Sequence, residues 1–246
     1  MARYQMIVAY DGTCFAGSQR QGGGRTVQGE LENALRRIGW KGRSILLAGR
    51  TDSGVHASGQ VAAFDLDWRH SPDDLLQALN ANLPPDLAVR SLRAVDDDFH
   101  PRFDASARRY RYRLFLQPLR DPLRERYAWR VWPPVADLTP LAELWPGSRN
   151  FAAFGAPPRA GGSSVRTVHA AAWRQDGDEW TFEIEANAFL YRMVRRLVYL
   201  QVAVGQGRLS VERLQQALET GEQVPLAGLA PACGLTLLEV RYDHLA

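Results

Sequence analysis

The sequence predicts an α+β protein made of two ferredoxin-like halves, each an antiparallel sheet with its helices on one face, and a basic cleft between the halves. Three observations carry this expectation. Over residues 1–104 the hydrophobic pattern switches between period two and period 3.6 in the order strand, helix, strand, strand, helix, strand. After residue 104 a strand, a helix, two strands and a helix follow in a similar order. Between them the acidic run Asp96-Asp97-Asp98, followed by Pro101, breaks the periodicity. The expected domains are therefore 1–104 and 105–246.

A chain of 246 residues with 46% hydrophobic and 23% charged residues has the composition of a globular protein with a sizeable core. No apolar run approaches the roughly 20 residues that a membrane span needs. Met1-Ala2-Arg3-Tyr4 leads straight into a strand-like run without a signal-peptide core, so a cytoplasmic location and no membrane are expected. Cys14 and Cys233 are far apart and belong to no metal-ligand spacing, and the five histidines are scattered. No metal site is expected. Apart from Lys41, every basic residue is arginine, whose planar fork suits phosphate oxygens and base stacking. Residues 1–104 hold 12 basic against 13 acidic side chains, and 105–246 hold 18 against 14, so positive charge is weighted toward the second half.

In the first half, residues 3–10 read as a strand, and Gly22-Gly23-Gly24 as a flexible loop because no Gly-Lys-Ser/Thr phosphate-loop ending follows it. Val27, Leu31, Ala34, Leu35 and Ile38 form the apolar stripe of a helix over 27–38. The runs 44–48 and 59–64 read as strands, 72–81 as a helix and 87–95 as a strand. In the second half, period two over 110–116 sets Tyr110, Tyr112, Leu114 and Leu116 on one face. Tyr112 is expected in the core, and Tyr110, at the strand's entry, is placed to line a cleft and stack on a base. A helix over 138–145, a Gly- and Pro-rich loop over 146–164, strands near 165–173 and 180–186, and a helix over 189–204 complete the pattern. On that last helix Arg192, Arg195, Arg196 and Tyr199 share the face opposite the apolar stripe.

The chemistry concentrates in Ala48-Gly49-Arg50-Thr51-Asp52-Ser53-Gly54-Val55-His56-Ala57, where one carboxylate sits in a glycine-flanked turn between two strands. As a bare Asp-Ser-Gly turn this would be ordinary turn chemistry. The whole block is more specific. It resembles the signature of the tRNA pseudouridine synthase A family, in which the Asp of a Gly-Arg-Thr-Asp-x-Gly-Val-His segment is catalytic, which makes Asp52 the candidate here. The resemblance extends over nearly the whole chain, through Tyr10-Asp11-Gly12-Thr13, Gln19-Arg20-Gln21, Asn80-Ala81-Asn82-Leu83-Pro84, Phe99-His100-Pro101-Arg102-Phe103, Ala107-Arg108-Arg109-Tyr110-Arg111-Tyr112, Asn187-Ala188-Phe189, Met193-Val194-Arg195 and Gly234-Leu235-Thr236-Leu237. The chain departs from the family at Ser18, where Trp is usual, at Arg192, commonly His, and at Arg196, commonly Asn.

The resemblance implies a homodimer that isomerises uridine to pseudouridine at positions 38, 39 and 40 of the tRNA anticodon arm, in halves of ferredoxin-like or RNA-recognition type. No cofactor is expected, because breaking and remaking a bond within one nucleotide needs no external redox or phosphoryl donor. Asp52 would attack C6 of the base or C1′ of the ribose, or remove the C2′ proton, and the sequence leaves the three routes open. Tyr110, Arg50 and Arg195 are the expected substrate contacts, with Tyr110 also a candidate for removing the C5 proton, and Arg192 and Arg196 the expected phosphate contacts. Two other classes share these features. A non-catalytic RNA-binding module would carry paired strand aromatics in Lys/Arg-Gly-Phe/Tyr motifs, which the sequence lacks, and an RNA N-glycosidase would release free uracil.

Overall fold

A computed structural model describes residues 1–159 and 161–243. The chain divides into two compact units, Met1–Ser106 together with the segment from Thr236, and Ala107–Leu235.

The first unit holds β1 (Ala2–Tyr10), α1 (Val27–Arg37), β2 (Leu46–Leu47), β3 (His56–Leu66), α2 (Pro72–Ala81) and β4 (Leu87–Val95). Its strands pair in the ferredoxin-like order β4-β1-β3-β2, all antiparallel. The expected strand over 44–48 shortens to two residues, and β3 runs longer than the 59–64 expected. The two differences have one cause: β2 covers β3 only at Ala62 and Ala63, while the closing strand β10 (Leu235–Arg241) lies parallel to it at His56 and Ala57. That pairing groups the segment from Thr236 with the first unit, whereas the sequence reading placed it in the second half.

Local chemistry sets the helix ends. The Thr26 side chain accepts from Gly29 N, Glu30 lies in the first turn of α1 and Arg36 and Arg37 in its last, each charge complementing the helix dipole. Val27, Leu31, Ala34 and Leu35 of its stripe are buried. Ser71 and Asp74 form a reciprocal capping box at the start of α2, with Pro72 in its first turn.

The second unit holds β5 (Ala107–Leu116), β6 (Trp129–Val131), α3 (Thr139–Ala142), β7 (Gly147–Asn150), β8 (Val165–Asp176), β9 (Glu179–Ala186), α4 (Met193–Gly205) and α5 (Val211–Thr220). The order β5-β9-β8-β7 is antiparallel, and β6 adds to β5 in parallel. The helix expected over 138–145 shrinks to one turn, closed in by Pro140 and Pro146. The expected 146–164 loop contains β7 and a 3-10 turn at Ala152–Phe154. α4 starts at Met193 rather than 189 because Arg192 takes a left-handed conformation, φ 62°, which cannot continue a helix toward its N-terminus. Tyr112 is fully buried and donates its hydroxyl to the Pro231 carbonyl at 2.8 Å, as a core tyrosine should. Burial raises its pKa well above the usual phenol range. The core also seats Gln201, whose Oε1 accepts from the indole N–H of both Trp145 and Trp173, at 3.1 and 2.8 Å.

Candidate active site

Asp52 stands in the connection between β2 and β3, and its neighbours are fixed by both backbone and side-chain hydrogen bonds. Val55 N donates to the Asp52 carbonyl at 3.2 Å, closing a tight turn whose Gly54 has φ 79°. The Ser53 hydroxyl and Gly54 N both donate to the Phe15 carbonyl, at 3.1 and 3.4 Å, pinning the far side of the turn to the loop after β1.

The near side is gripped more firmly. Thr51 N donates to Ser18 Oγ at 2.8 Å and Ser18 N donates to the Thr51 carbonyl at 3.1 Å, while Thr51 Oγ1 and the Tyr10 hydroxyl share a 2.8 Å hydrogen bond. Ser18 and Gln60 are fully buried and Tyr10 nearly so. The Gln60 amide donates to the Gly49 carbonyl at 3.0 Å and reaches the Tyr10 hydroxyl at 3.5 Å. Gly17, at φ 103°, brings its backbone so close that a Cβ there would lie 2.9 Å from the Thr51 carbonyl oxygen. Every backbone polar group of Thr51 thus has a partner, in surroundings where a missing one would cost about 1–3 kcal/mol.

The loop after β1 is itself tied to β3. Gly12 N donates to His56 Nδ1 at 3.0 Å, and Asp11 Oδ1 lies 3.2 Å from the same ring nitrogen. A Cβ on Gly12 would collide with the Val55 carbonyl, so the Tyr10-Asp11-Gly12 sequence is there to let the two segments approach. Asp52 itself is half-buried and Arg50, two residues before it, is exposed.

The other sequence candidates lie in the second unit. Tyr110 sits in β5 opposite Ile184, half-buried, with Phe189 edge-on to its ring at 5.1 Å. Arg195 is half-buried on α4, and its Nε donates to the Ala230 carbonyl at 2.8 Å while Ala230 N donates back to the Arg195 carbonyl. Arg192 is exposed, its guanidinium 4.7 Å from the centre of the Tyr191 ring. Arg196 differs from a solvent-facing cation: it donates to the Gly228 and Val224 carbonyls at 2.9 and 3.2 Å, and burial lowers its pKa. Its visible work is to hold the 224–228 segment against α4.

Sequence reasoning singled out Asp52 but missed the frame around it. In the sequence Tyr10 stands out only as part of a matching block, and Ser18 only as the replacement of an aromatic. The signal for Ser18 was faint, since a hydroxyl after a glycine has many uses and its partner lies 33 residues away.

The first unit is a ferredoxin-like frame that presents one carboxylate on a turn immobilised from both sides, in an arginine-rich α+β chain. An acidic group held this way is pre-positioned for one geometry, which suits acid–base or nucleophilic chemistry. The sequence profile of a family described as tRNA pseudouridine synthase matches residues 6–104 and 141–243. Proteins named tRNA pseudouridine synthase A are similar over almost the full length: that of Chloroflexus aurantiacus is 41% identical over 98% of this chain and 89% of its own. Those of Limosilactobacillus fermentum and Geobacillus kaustophilus are each 39% identical, over 100% and 98% of this chain and 98% and 95% of theirs. The chain belongs to the tRNA pseudouridine synthase family, whose members are isomerases that convert uridine in tRNA.

Proposed function

We propose that this protein isomerises uridine to pseudouridine at positions 38, 39 and 40 of the tRNA anticodon arm, with Asp52 as the catalytic residue, no cofactor, and a cytoplasmic homodimer as the working form. The observation that supports the reading most is the immobilised turn: a carboxylate held through Thr51, Ser53 and Gly54 is set for one geometry before any substrate arrives. Among the described residues no helix is long and apolar enough to cross a membrane.

In the reaction the C1′–N1 bond breaks, the uracil turns, a C1′–C5 bond forms, and the proton on C5 leaves as N1 gains one. Atoms balance within one nucleotide. Asp52 opens the sequence as a carboxylate, by attack at C6 or at C1′ or by taking the C2′ proton, and an isotope effect from deuterium at C2′ separates the third route from the other two. Tyr110 stacks on the base and its hydroxyl removes the C5 proton. Arg50 fills the space beside the extruded nucleotide, and Arg195, oriented by its bond to the Ala230 carbonyl, holds the base while it turns. Arg192 contacts phosphate. Arg196, in addition to any such contact, keeps the 224–228 segment in place. Leu119 and Leu123, 78% and 85% exposed between β5 and β6, are apolar surface suited to a second copy of the chain.

The test is incubation with unmodified tRNA and mapping of the modified positions. Pseudouridine at 38–40 with no mass change supports the proposal; free uracil would mark an N-glycosidase, and unaltered uridine a binding module.

A further inference from the structure

Most arginines whose partners are visible are neutralised by carboxylates. Arg3 pairs with Asp65, Arg25 with Asp86 and Glu30, Arg111 with Glu183, Arg113 with Glu179 and Arg124 with Asp178, at 2.6–2.8 Å. Lys41 and Arg43 are different. Both are exposed, and neither makes an ion pair or a side-chain hydrogen bond with a described residue. They belong to Arg36-Arg37-Ile38-Gly39-Trp40-Lys41-Gly42-Arg43, four cations and no acid in a half of the chain that otherwise has more acidic than basic residues. A run of exposed cations is often only a solvated face.

Here it rims a cavity of about 660 Å³ within the first unit, lined by Trp40, Lys41, Arg43, Ser44 and the Ala63–Leu66 end of β3. The cavity lies where β2, which begins at Leu46 opposite Ala63, leaves the Phe64–Leu66 end of β3 without a partner on that edge. Asp65 in its wall is paired with Arg3, and Asp67 is the other acidic residue in the lining. Gly39, at φ 99°, has open space beside it, whereas Gly42 lies under the Trp40 indole, where a Cβ would come within 2.4 Å of the ring.

We propose that this loop and cavity bind RNA phosphates remote from the target uridine, an assignment that rests on tRNA being the substrate. Asp52 precedes the His56 end of β3 and the cavity lies at its Leu66 end, roughly 25–35 Å away at the rise of an extended strand. Phosphates held there belong to a part of the tRNA well beyond the target and its neighbours. The site thereby favours a whole tRNA over an isolated anticodon hairpin.

The experiment compares wild type with the Lys41→Ala/Arg43→Ala double variant on whole tRNA and on the anticodon stem-loop alone, across a salt series. For whole tRNA, Kd is expected to rise about tenfold and the log–log salt slope to fall by about 1.5–2, the loss of two phosphate contacts, with turnover at saturating tRNA unchanged. The hairpin should bind both proteins equally. An unchanged Kd and slope on whole tRNA, or an equal loss on the hairpin, overturns the proposal. Failure of the underlying reading looks different: wild type itself would leave tRNA uridines unconverted.

Discussion

Ser18 shows how a single residue can decide the geometry of a turn it precedes by more than 30 positions. Its hydroxyl accepts from Thr51 N and its own N–H donates to the Thr51 carbonyl, next to the carboxylate assigned to the chemistry. Ser18→Ala leaves Thr51 N without a partner and is expected to lower kcat about 10- to 100-fold with little change in KM. Ser18→Cys separates hydrogen bonding from packing: the thiol fills the same space but sulfur is a weak acceptor, so this variant should fall toward Ala rather than recover. Full activity of Ser18→Cys would make the role one of packing. At Tyr110, removal of one oxygen separates stacking from proton transfer. Tyr110→Phe should bind tRNA almost normally and lose on the order of 100-fold in single-turnover conversion; a wild-type rate would leave only stacking. Asp52 and Tyr110 stand out in the sequence as candidates because each sits in a run whose residue order is distinctive. Ser18 does not, because a hydrogen bond between segments brought together by folding leaves no local pattern.

At the scale of elements, α1 and the loops beside it are joined by a buried carboxylate. Glu32, with no exposed side-chain surface, accepts from Arg20 at 2.8 Å, Arg36 at 3.2 Å, Gln28 at 3.0 Å and Ile45 N at 3.2 Å. Glu32→Ala leaves the buried Ile45 N–H without its acceptor and removes one of the acceptors of Gln28 and the partner of two arginines, and is expected to cost about 3 kcal/mol, read as a lower urea midpoint with unchanged slope. Arg25 reaches across to Asp86, and the guanidinium's hydrogen bonds hold the Asp86 carboxyl below the usual carboxylate range. A depressed folded pKa adds stability that is present above the unfolded value, near 4, and is lost as pH falls through the folded one. Wild type should therefore lose stability steeply from about pH 4 downward, and Arg25→Ala should show a shallower slope there in thermal melts. α2 and β4 have the bounds expected from the sequence, 72–81 and 87–95, and the structure shows a Ser71/Asp74 capping box fixing the start of α2. α5 carries comparable signals, Ser210 before it, Gly221 after it and Leu214, Ala217 and Leu218 between. β2 and β6 are two and three residues long, too short for any period to show. β10 pairs with β3 through Thr236 and Leu237, a contact across more than 170 positions that leaves no local pattern.

Across the whole molecule, arginine richness turns out to be partly internal. In the second unit, Arg111 and Arg113 on β5 face Glu183 and Glu179 on β9, and Arg124 reaches Asp178, so much of the positive excess read from composition braces the sheet. RNA affinity must then come from the cations left over, which is why a few substitutions should change the salt dependence visibly. Catalysis, in contrast, is assigned to one carboxylate. Because phosphate contacts carry most of the binding, Asp52→Ala should keep tRNA affinity within a few-fold of wild type. The most direct measurement is release of tritium from C5-labelled uridine in tRNA by purified wild type and Asp52→Ala. Wild type is expected to release tritium in step with pseudouridine formation and Asp52→Ala to release none above background while still binding the RNA; turnover by the variant would contradict the assignment of the chemistry to Asp52.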